Sequence, residues 1–435
     1  MTSSRISPRP DSSRPRTALI SGTFDVGNFG DLLFPIVAAH RLRPFGWDVL
    51  AASPTDGSCG LPDAAPSIGL TSAVGSGPID AVLIGGGEIA HAFPAEFVAE
   101  YVEAGQANQV YPALWFGATF VASLLDVPIA WNAPGAPAPF SASIREAALD
   151  PALAAADYVA VRDEASLRFL QPDGGLAILV PDTVADLADV WPAASLATDF
   201  DALRQRKGIG ADAALLVVHA RPGGLGSLSP AALAAMIADF AEPRGLTPLL
   251  LSLGPSLGDV EVLRQLSQAM PIRHVLLDNP AGLREMAAAI ANARLYVGNS
   301  MHGYIAAACY ATPGVIVARP AFHKFVGFAR QIDATDDVAR NWPGAFERAA
   351  VRINTRSSIG SSVASSLDRH WEQVVKVIDD LEPGRARRAA FLRGIVTNSF
   401  IRTGFNGLLA PFVNERVEGR WRKPTGTKAT AEVGT

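Results

Sequence analysis

The residues best suited to chemistry fall in five short segments, each closing an apolar run. The first is Gly22-Thr-Phe-Asp-Val-Gly27-Asn28-Phe-Gly30-Asp31, where glycines permit close backbone approach and Asp31 opens a helical stretch. The loop reads either as a ligand-facing glycine turn or as a plain helix start, with Asp31 an N-cap worth about 1 kcal/mol and Asn28 a turn residue. The second is Ile84-Gly85-Gly86-Gly87-Glu88, whose amides at Gly86 and Gly87 can face an anion or a sugar. The third, Val159-Ala-Val-Arg162-Asp163-Glu164-Ala-Ser166, delivers a guanidinium that can grip carboxylate or phosphate, or else pair with Asp163 or Glu164. The fourth, His219-Ala-Arg221-Pro-Gly-Gly, supplies another cation. In the fifth, Tyr296-Val-Gly298-Asn299-Ser300-Met301-His302-Gly303, a histidine stands at a strand-to-helix junction, suited to acid–base work or to a structural role. No GxGxxG is present, and no acidic residue ends the second apolar run at dinucleotide spacing.

Near-continuous apolar runs position these segments. In the first half they lie at Thr17–Ser21, Asp48–Ala52, Ala81–Ile84, Pro128–Trp131, Tyr158–Val161 and Ala177–Val180. In the second half they lie at Ala214–His219, Pro248–Leu253, His274–Leu277, Arg294–Val297 and Gly314–Ala318. Helical stretches separate many of them, as at Leu32, Leu33, Ile36, Val37 and His40. Apolar strands alternating with helices predict parallel sheets covered on both faces. The fold expected is α/β, with two Rossmann-like domains facing across a cleft and ligands at the carboxyl ends of the strands. The divisions expected are a floppy tail over 1–16, domains over 17–195 and 196–383 joined near Trp191–Asp212, and an extension over 384–435.

Composition excludes several classes. With 435 residues, 49% of them hydrophobic and 18% charged, the chain can bury two cores, so global disorder is out. A formal net charge of −5 argues against nucleic acid as a partner. Two distant cysteines, Cys59 and Cys309, supply neither a disulfide framework nor a structural zinc site, and no other metal site is expected. The opening residues have no signal-peptide core. The uncharged runs Ala104–Leu125 and Leu295–Ala318 carry polar residues and prolines that suit protein core better than a bilayer. A cytoplasmic location is expected.

The extension differs in charge. Arg385, Arg387, Arg388, Arg393, Arg402, Arg416, Arg420, Arg422 and Lys423 stand against Glu415 and Glu418, with Phe391, Leu392, Ile395, Val396, Phe400, Ile401, Phe405, Leu408 and Leu409 interleaved. One reading is an amphipathic segment touching anionic lipid at the inner face of the membrane. The other is a helix packed back across the domains, which the interruptions at Gly394, Gly404 and Gly407 favour.

Taken in order, the five segments resemble the polysaccharide pyruvyl transferase family. The resemblance runs from about Thr17 to Leu381 and rests on Gly27, Asn28, Gly30 and Asp31, on Gly85–Gly87, and on Arg162, Asp163 and Ser166. It continues with Pro181-Asp182, His302 with Ala306, Pro313 and Lys324-Phe325. Ser300 stands where the family often has arginine, and Ala185 where it has phenylalanine. The resemblance implies transfer of the pyruvyl group of phosphoenolpyruvate onto two hydroxyls of a saccharide or lipid-linked saccharide, forming a ketal without a cofactor. It casts His302 as general acid, Asp31 as base and Arg162 as the grip on donor charge. Asn28, Gly30, Gly86, Gly87, Glu88, Arg221, Ser300 and Lys324 would complete donor and acceptor binding. Two other readings share the architecture: a glycosyltransferase using a nucleotide sugar, with Glu285 as ribose ligand, and an inactive sugar-binding member.

Overall fold

The computed structural model describes residues 14–171, 174–319, 323–355 and 358–405. One sheet is built from β1 (Arg16–Ser21), β2 (Trp47–Ser53), β3 (Ser67–Gly69), β4 (Ala81–Ile84), β5 (Ile129–Trp131), β6 (Tyr158–Val161) and β7 (Ile178–Leu179). Their spatial order is β3-β2-β1-β4-β5-β6-β7. The other sheet, in the order β10-β9-β8-β11-β12-β13, holds β8 (Ala214–His219), β9 (Leu246–Leu251), β10 (Val275–Leu277), β11 (Leu295–Gly298), β12 (Gly314–Val317) and β13 (Val338–Ala339). Every pairing is parallel.

Alternation along the central strands explains the layering. In β1, Ala18 and Ile20 enter one core and Leu19 the opposite one. In β8, Leu215 and Val217 face one way while Leu216 and Val218 face the other. Strands buried on both faces must be apolar at consecutive positions, which is why these runs read as continuous. One apolar cluster reaches from β1 through the helix Phe29–Leu42 to the helices Leu283–Ala291 and Met301–Cys309, so the two domains share a core.

Both sheets reverse strand order beside their first strand, between β1 and β4 and between β8 and β11. At such a switch point the flanking loops diverge and leave a crevice at the strands' carboxyl ends. Four of the five segments singled out in the sequence occupy those two crevices.

The chain then returns to the first domain. The helix Ser361–Ile378 packs on β5 and β6, and the helix Arg385–Thr403 lies against the helices Ala118–Leu125 and Asp150–Ala155. Arg388 is fully buried there, bonding Asp126 at 3.1 Å, Asp157 at 3.1 Å and the Leu381 carbonyl at 2.7 Å. Arg385 and Arg387 pair with the same two aspartates. Three cations of the extension are therefore engaged within the chain, in the packed arrangement. Val396, Phe400, Ile401 and Phe405 remain exposed, and Gly407, Leu408, Leu409, Arg416, Arg420, Arg422 and Lys423 lie outside the described residues. Among the described residues no helix is long and apolar enough to cross a membrane.

His370 fastens the returning helix to the first sheet. It accepts from the Tyr158 hydroxyl at Nδ1, 2.9 Å away, and donates from Nε2 to Asn132 Oδ1, also at 2.9 Å. Complete burial holds its pKa down to about 3. Below pH 6.5 the unfolded chain binds a proton at this imidazole that the folded chain refuses until about pH 3, so stability falls as pH drops through that window. Each pH unit there costs about 1.4 kcal/mol. Urea unfolding at pH 7, 5.5 and 4 should show a shallower pH slope for His370→Gln than for the wild type. Parallel slopes would remove His370 from the acid response.

Candidate active site between the two domains

The first domain contributes Asp31 from the opening turn of the helix Phe29–Leu42. Asn28, with extended backbone, occupies the N-cap position, and Asp31 lies three residues further in, so the capping reading of Asp31 gives way. Its Oδ2 instead accepts from Thr23 Oγ1 and Asn28 Nδ2, each at 2.7 Å, which orients the carboxylate at the cleft. The glycines serve close approach. A Cβ on Gly30 would overlap the His302 imidazole, and one on Gly86 would overlap Phe34. Gly87, at φ +82°, lies against Asp31 Oδ1. Phe34 in turn meets the His302 ring edge-on, with centroids 5.4 Å apart. Glycine here lets the first domain's helix press onto the second domain's histidine.

Behind this contact lies a buried charge network. Arg162, 2% exposed, donates to Asp182 at 3.0 Å and stands 3.8 Å from Glu88 and 3.9 Å from Asp163. Its main partner is thus Asp182 and not an adjacent residue; Asp163 caps the next helix through the Ser166 amide, and Glu164 pairs with Arg330. Asp182 Oδ2 also lies 3.5 Å from His302 Nε2. Burial alone would raise the Asp182 pKa, but His302, Arg162 and the Val184 amide outweigh it and hold it at about 2. The same opposition sets Glu88 at about 2: burial raises it, and Lys324, bonded at 2.8 Å, with Arg162 pulls it down further. Burial lowers the Lys324 pKa, against the pull of Glu88.

From the second domain, β8 ends in His219 and leads to Arg221. His219 Nε2 stands 3.2 Å from Asp259, whose carboxylate also accepts from Ser252 Oγ and the amides of Leu253 and Gly254. Arg221 makes no hydrogen bond or ion pair among the described residues, and desolvation lowers its pKa. After β11, Ser300 caps the helix Met301–Cys309 by accepting from the Gly303 amide at 3.2 Å. That cap sets His302 in the first turn, facing the other domain.

These side chains meet in a cavity of about 330 Å³. Asn28, Asp31, Glu88, Arg162, Arg221, Ser300, His302 and Lys324 line it, while Gly30, Gly86 and Gly87 lie behind its wall. His219, named only as the opening residue of the fourth segment, and Asp259, not singled out in the sequence, line it as well, as does the apolar wall of Phe93, Phe97 and Tyr111. Asp182, whose carboxylate stands 3.5 Å from His302 Nε2, was visible only as part of Pro181-Asp182. Buried polar atoms are normally satisfied. Yet Glu88 Oε1, Arg162 Nε, Asp163 Oδ2, His219 Nδ1, Asn299 Oδ1 and His302 Nε2 have no hydrogen bond among the described residues. Of twelve such atoms among the described residues, five, on Glu88, Arg162, His219, Asn299 and His302, belong to residues that line this cavity. Among the described residues no three His, Cys, Asp or Glu side chains are grouped to hold a metal ion.

Two parallel α/β domains with a polar cleft at their switch points define the glycosyltransferase-B architecture. Solved structures agree. The UDP-GlcNAc 2-epimerase of Methanocaldococcus jannaschii matches with a TM-score of 0.51 at 13% identity, over 83% of this chain and 99% of that one. The epimerase of Neisseria meningitidis matches at 0.51 and 10%, over 83% and 100%, and that of Rickettsia bellii at 0.50 and 12%, over 84% and 97%. At such identities the likeness is one of fold. No curated protein matches the sequence. The family model described as polysaccharide pyruvyl transferase matches residues 7–320, and the chain belongs to that family.

Proposed function

We propose that the protein transfers the pyruvyl group of phosphoenolpyruvate to two hydroxyls of a saccharide acceptor, forming a cyclic ketal and releasing phosphate. The observation that carries this reading is the convergence on one interdomain cavity of His302, Asp31 and Arg221, the last unpaired among the described residues. In the first step protonated His302 gives its proton to the methylene carbon of the donor, and the first hydroxyl bonds to the adjacent carbon while Asp31 takes that hydroxyl's proton. Phosphate then leaves with the C–O electron pair, receiving the Asp31 proton. The second hydroxyl closes the ring and returns its proton to His302, so both groups end as they began. Arg221 and Lys324 suit the donor's carboxylate and phosphate, since charge-assisted bonds inside a desolvated cavity are strong.

The nucleotide-sugar reading loses its suggested ribose ligand. Glu285 bonds Arg206 at 2.5 Å and the Ala281 amide at 2.6 Å, and is not a cavity residue. The test is phosphate release from phosphoenolpyruvate, followed by phosphorus NMR in the presence of saccharide acceptors. Asp31→Asn should lower that release about 100-fold, the scale of a lost general base, with little change in melting temperature because Asp31 caps no helix. Wild-type release from the Asn variant would remove Asp31 from the chemistry.

A further inference from the structure

Phosphoenolpyruvate is a small anion, and its recognition falls to cations. The aromatic side of the reaction cavity has no part in that task. Phe93 and Phe97 line the cavity yet stay 52% and 62% exposed. Rings of that size gain by leaving water. Two of them, half-open beside a polar cavity, mark a surface that an apolar face covers when a ligand arrives.

Phe93 is held from behind. His91 stacks between Tyr111 and Phe93, with ring centroids 3.9 and 5.2 Å away and tilts of 41° and 36°. The imidazole uses both nitrogens locally: Nε2 donates to the Glu88 carbonyl at 3.1 Å, and Nδ1 accepts from the Phe93 amide at 3.1 Å. That pattern requires the neutral ring, and burial holds its pKa down to about 4, so no charge appears behind Phe93 near neutral pH. Trp115 Nε1 donates to the His91 carbonyl at 2.9 Å, and Pro94 limits the backbone that follows Phe93. Further on, the Ala95 amide bonds the Ala107 carbonyl at 2.8 Å and the Val98 amide bonds the Ala95 carbonyl at 3.0 Å, which ties down the turn carrying Phe97. Glu88 joins this frame to the charge network, its carbonyl on His91 and its carboxylate on Lys324.

We infer that Phe93 and Phe97 are specificity-determining residues that stack on the C–H face of the acceptor's sugar ring and leave the hydroxyls at its edge free to reach Asp31 and His302. A pyranose has this two-sided character. Its axial hydrogens carry partial positive charge and suit the negative face of an aromatic ring, while its equatorial hydroxyls point outward. Preset rings lose little freedom on binding, so the contact favours one orientation of the sugar at low entropic cost. An axial hydroxyl on the stacked face would break the contact, which makes the platform a filter on ring configuration. A second copy of the chain or a lipid surface fits less well, because it would desolvate Asp31, Glu88 and Lys324 in the same cavity wall. The inference rests on the pyruvyl-transfer reading for the role of the sugar as acceptor; the stacking surface itself does not.

The test pairs Phe93→Leu/Phe97→Leu with Phe93→Tyr/Phe97→Tyr. Leucine keeps apolar bulk without an aromatic face, and tyrosine keeps the face. The probes are the methyl β-glycosides of glucose, galactose and mannose. In proton NMR, selective saturation of the protein's aromatic hydrogens should pass to the ring C–H hydrogens of at least one probe in the wild type and in the double tyrosine variant. The double leucine variant should pass much less. In turnover on that glycoside its KM should rise about tenfold, the scale of lost aromatic contact, while the KM for phosphoenolpyruvate stays put. Equal saturation transfer in the leucine variant and the wild type would overturn the inference, as would no transfer to any of the probes in the wild type. So would a wild-type dimer or vesicle binding that the leucine variant loses, since the rings would then belong to a second copy or a lipid surface. A wild type that holds a glycoside through these rings but never consumes phosphoenolpyruvate would overturn the pyruvyl-transfer reading and leave the platform standing.

Discussion

His302→Ala should lower ketal formation by about 100-fold or more while the protein still folds, since that is the scale on which a positioned general acid contributes. The side chain sits in the first turn of its helix, its ring held by Phe34 and by the space that Gly30 leaves. Removing it deletes no backbone partner, because the helix is capped by Ser300. Asp182 retains Arg162 and the Val184 amide, so the charge network survives. The expected pattern is a large fall in kcat with a melting temperature within a few degrees of the wild type. A variant turning over at the wild-type rate would remove His302 from the proton transfer. One that fails to fold would make it a packing residue, and His302→Gln, of similar bulk, would then regain the fold.

The second prediction concerns Arg162, and it shows what a sequence can reveal. The central strands were legible because burial on both faces forces consecutive apolar residues. β3 and β13 were not: three residues, Ser67–Gly69, and two, Val338–Ala339, on sheet edges carry too little apolar pattern to separate from loop. The loops were legible as a set, because glycine, histidine and charged residues directly after apolar strands conflict with loop economy unless something approaches closely. Their partners were not. Asp182 meets His302 across 120 positions, and His219 meets Asp259 through a helix that begins seven residues after Ser252. No spacing rule connects such pairs; only the fold of the sheets brings them together. The same blindness applies to Arg162, whose sequence neighbours Asp163 and Glu164 suggested a local pair while the dominant partner comes from after β7.

That partner changes what Arg162→Ala should do. A guanidinium holding donor charge at a surface would be lost with weaker donor affinity and little else. Arg162 is instead 2% exposed amid Asp182, Asp163 and Glu88. Removing one member of such a buried group leaves carboxylates without compensation, at a cost of about 3–5 kcal/mol. The pH dependence separates this from simple loss of contact. In the wild type Asp182 and Glu88 ionise at about 2, below their unfolded values, so the stability they bring is present above about pH 4–5 and fades as pH falls toward 2. In Arg162→Ala, Asp182 keeps only His302 and the Val184 amide against complete burial, so its pKa moves upward. If it passes the unfolded value, the slope reverses and stability falls as pH rises from 4 to 7. Urea unfolding at pH 4, 5.5 and 7 should therefore show the gap between variant and wild type widening with pH. Arg162→Lys should close part of that gap, since an ammonium restores charge but cannot hold Asp182 while facing Glu88 and Asp163 with a planar fork. A constant gap of under about 1 kcal/mol across that range would mean that the guanidinium does not hold these carboxylates together, and would return Arg162 to the role of a donor ligand alone.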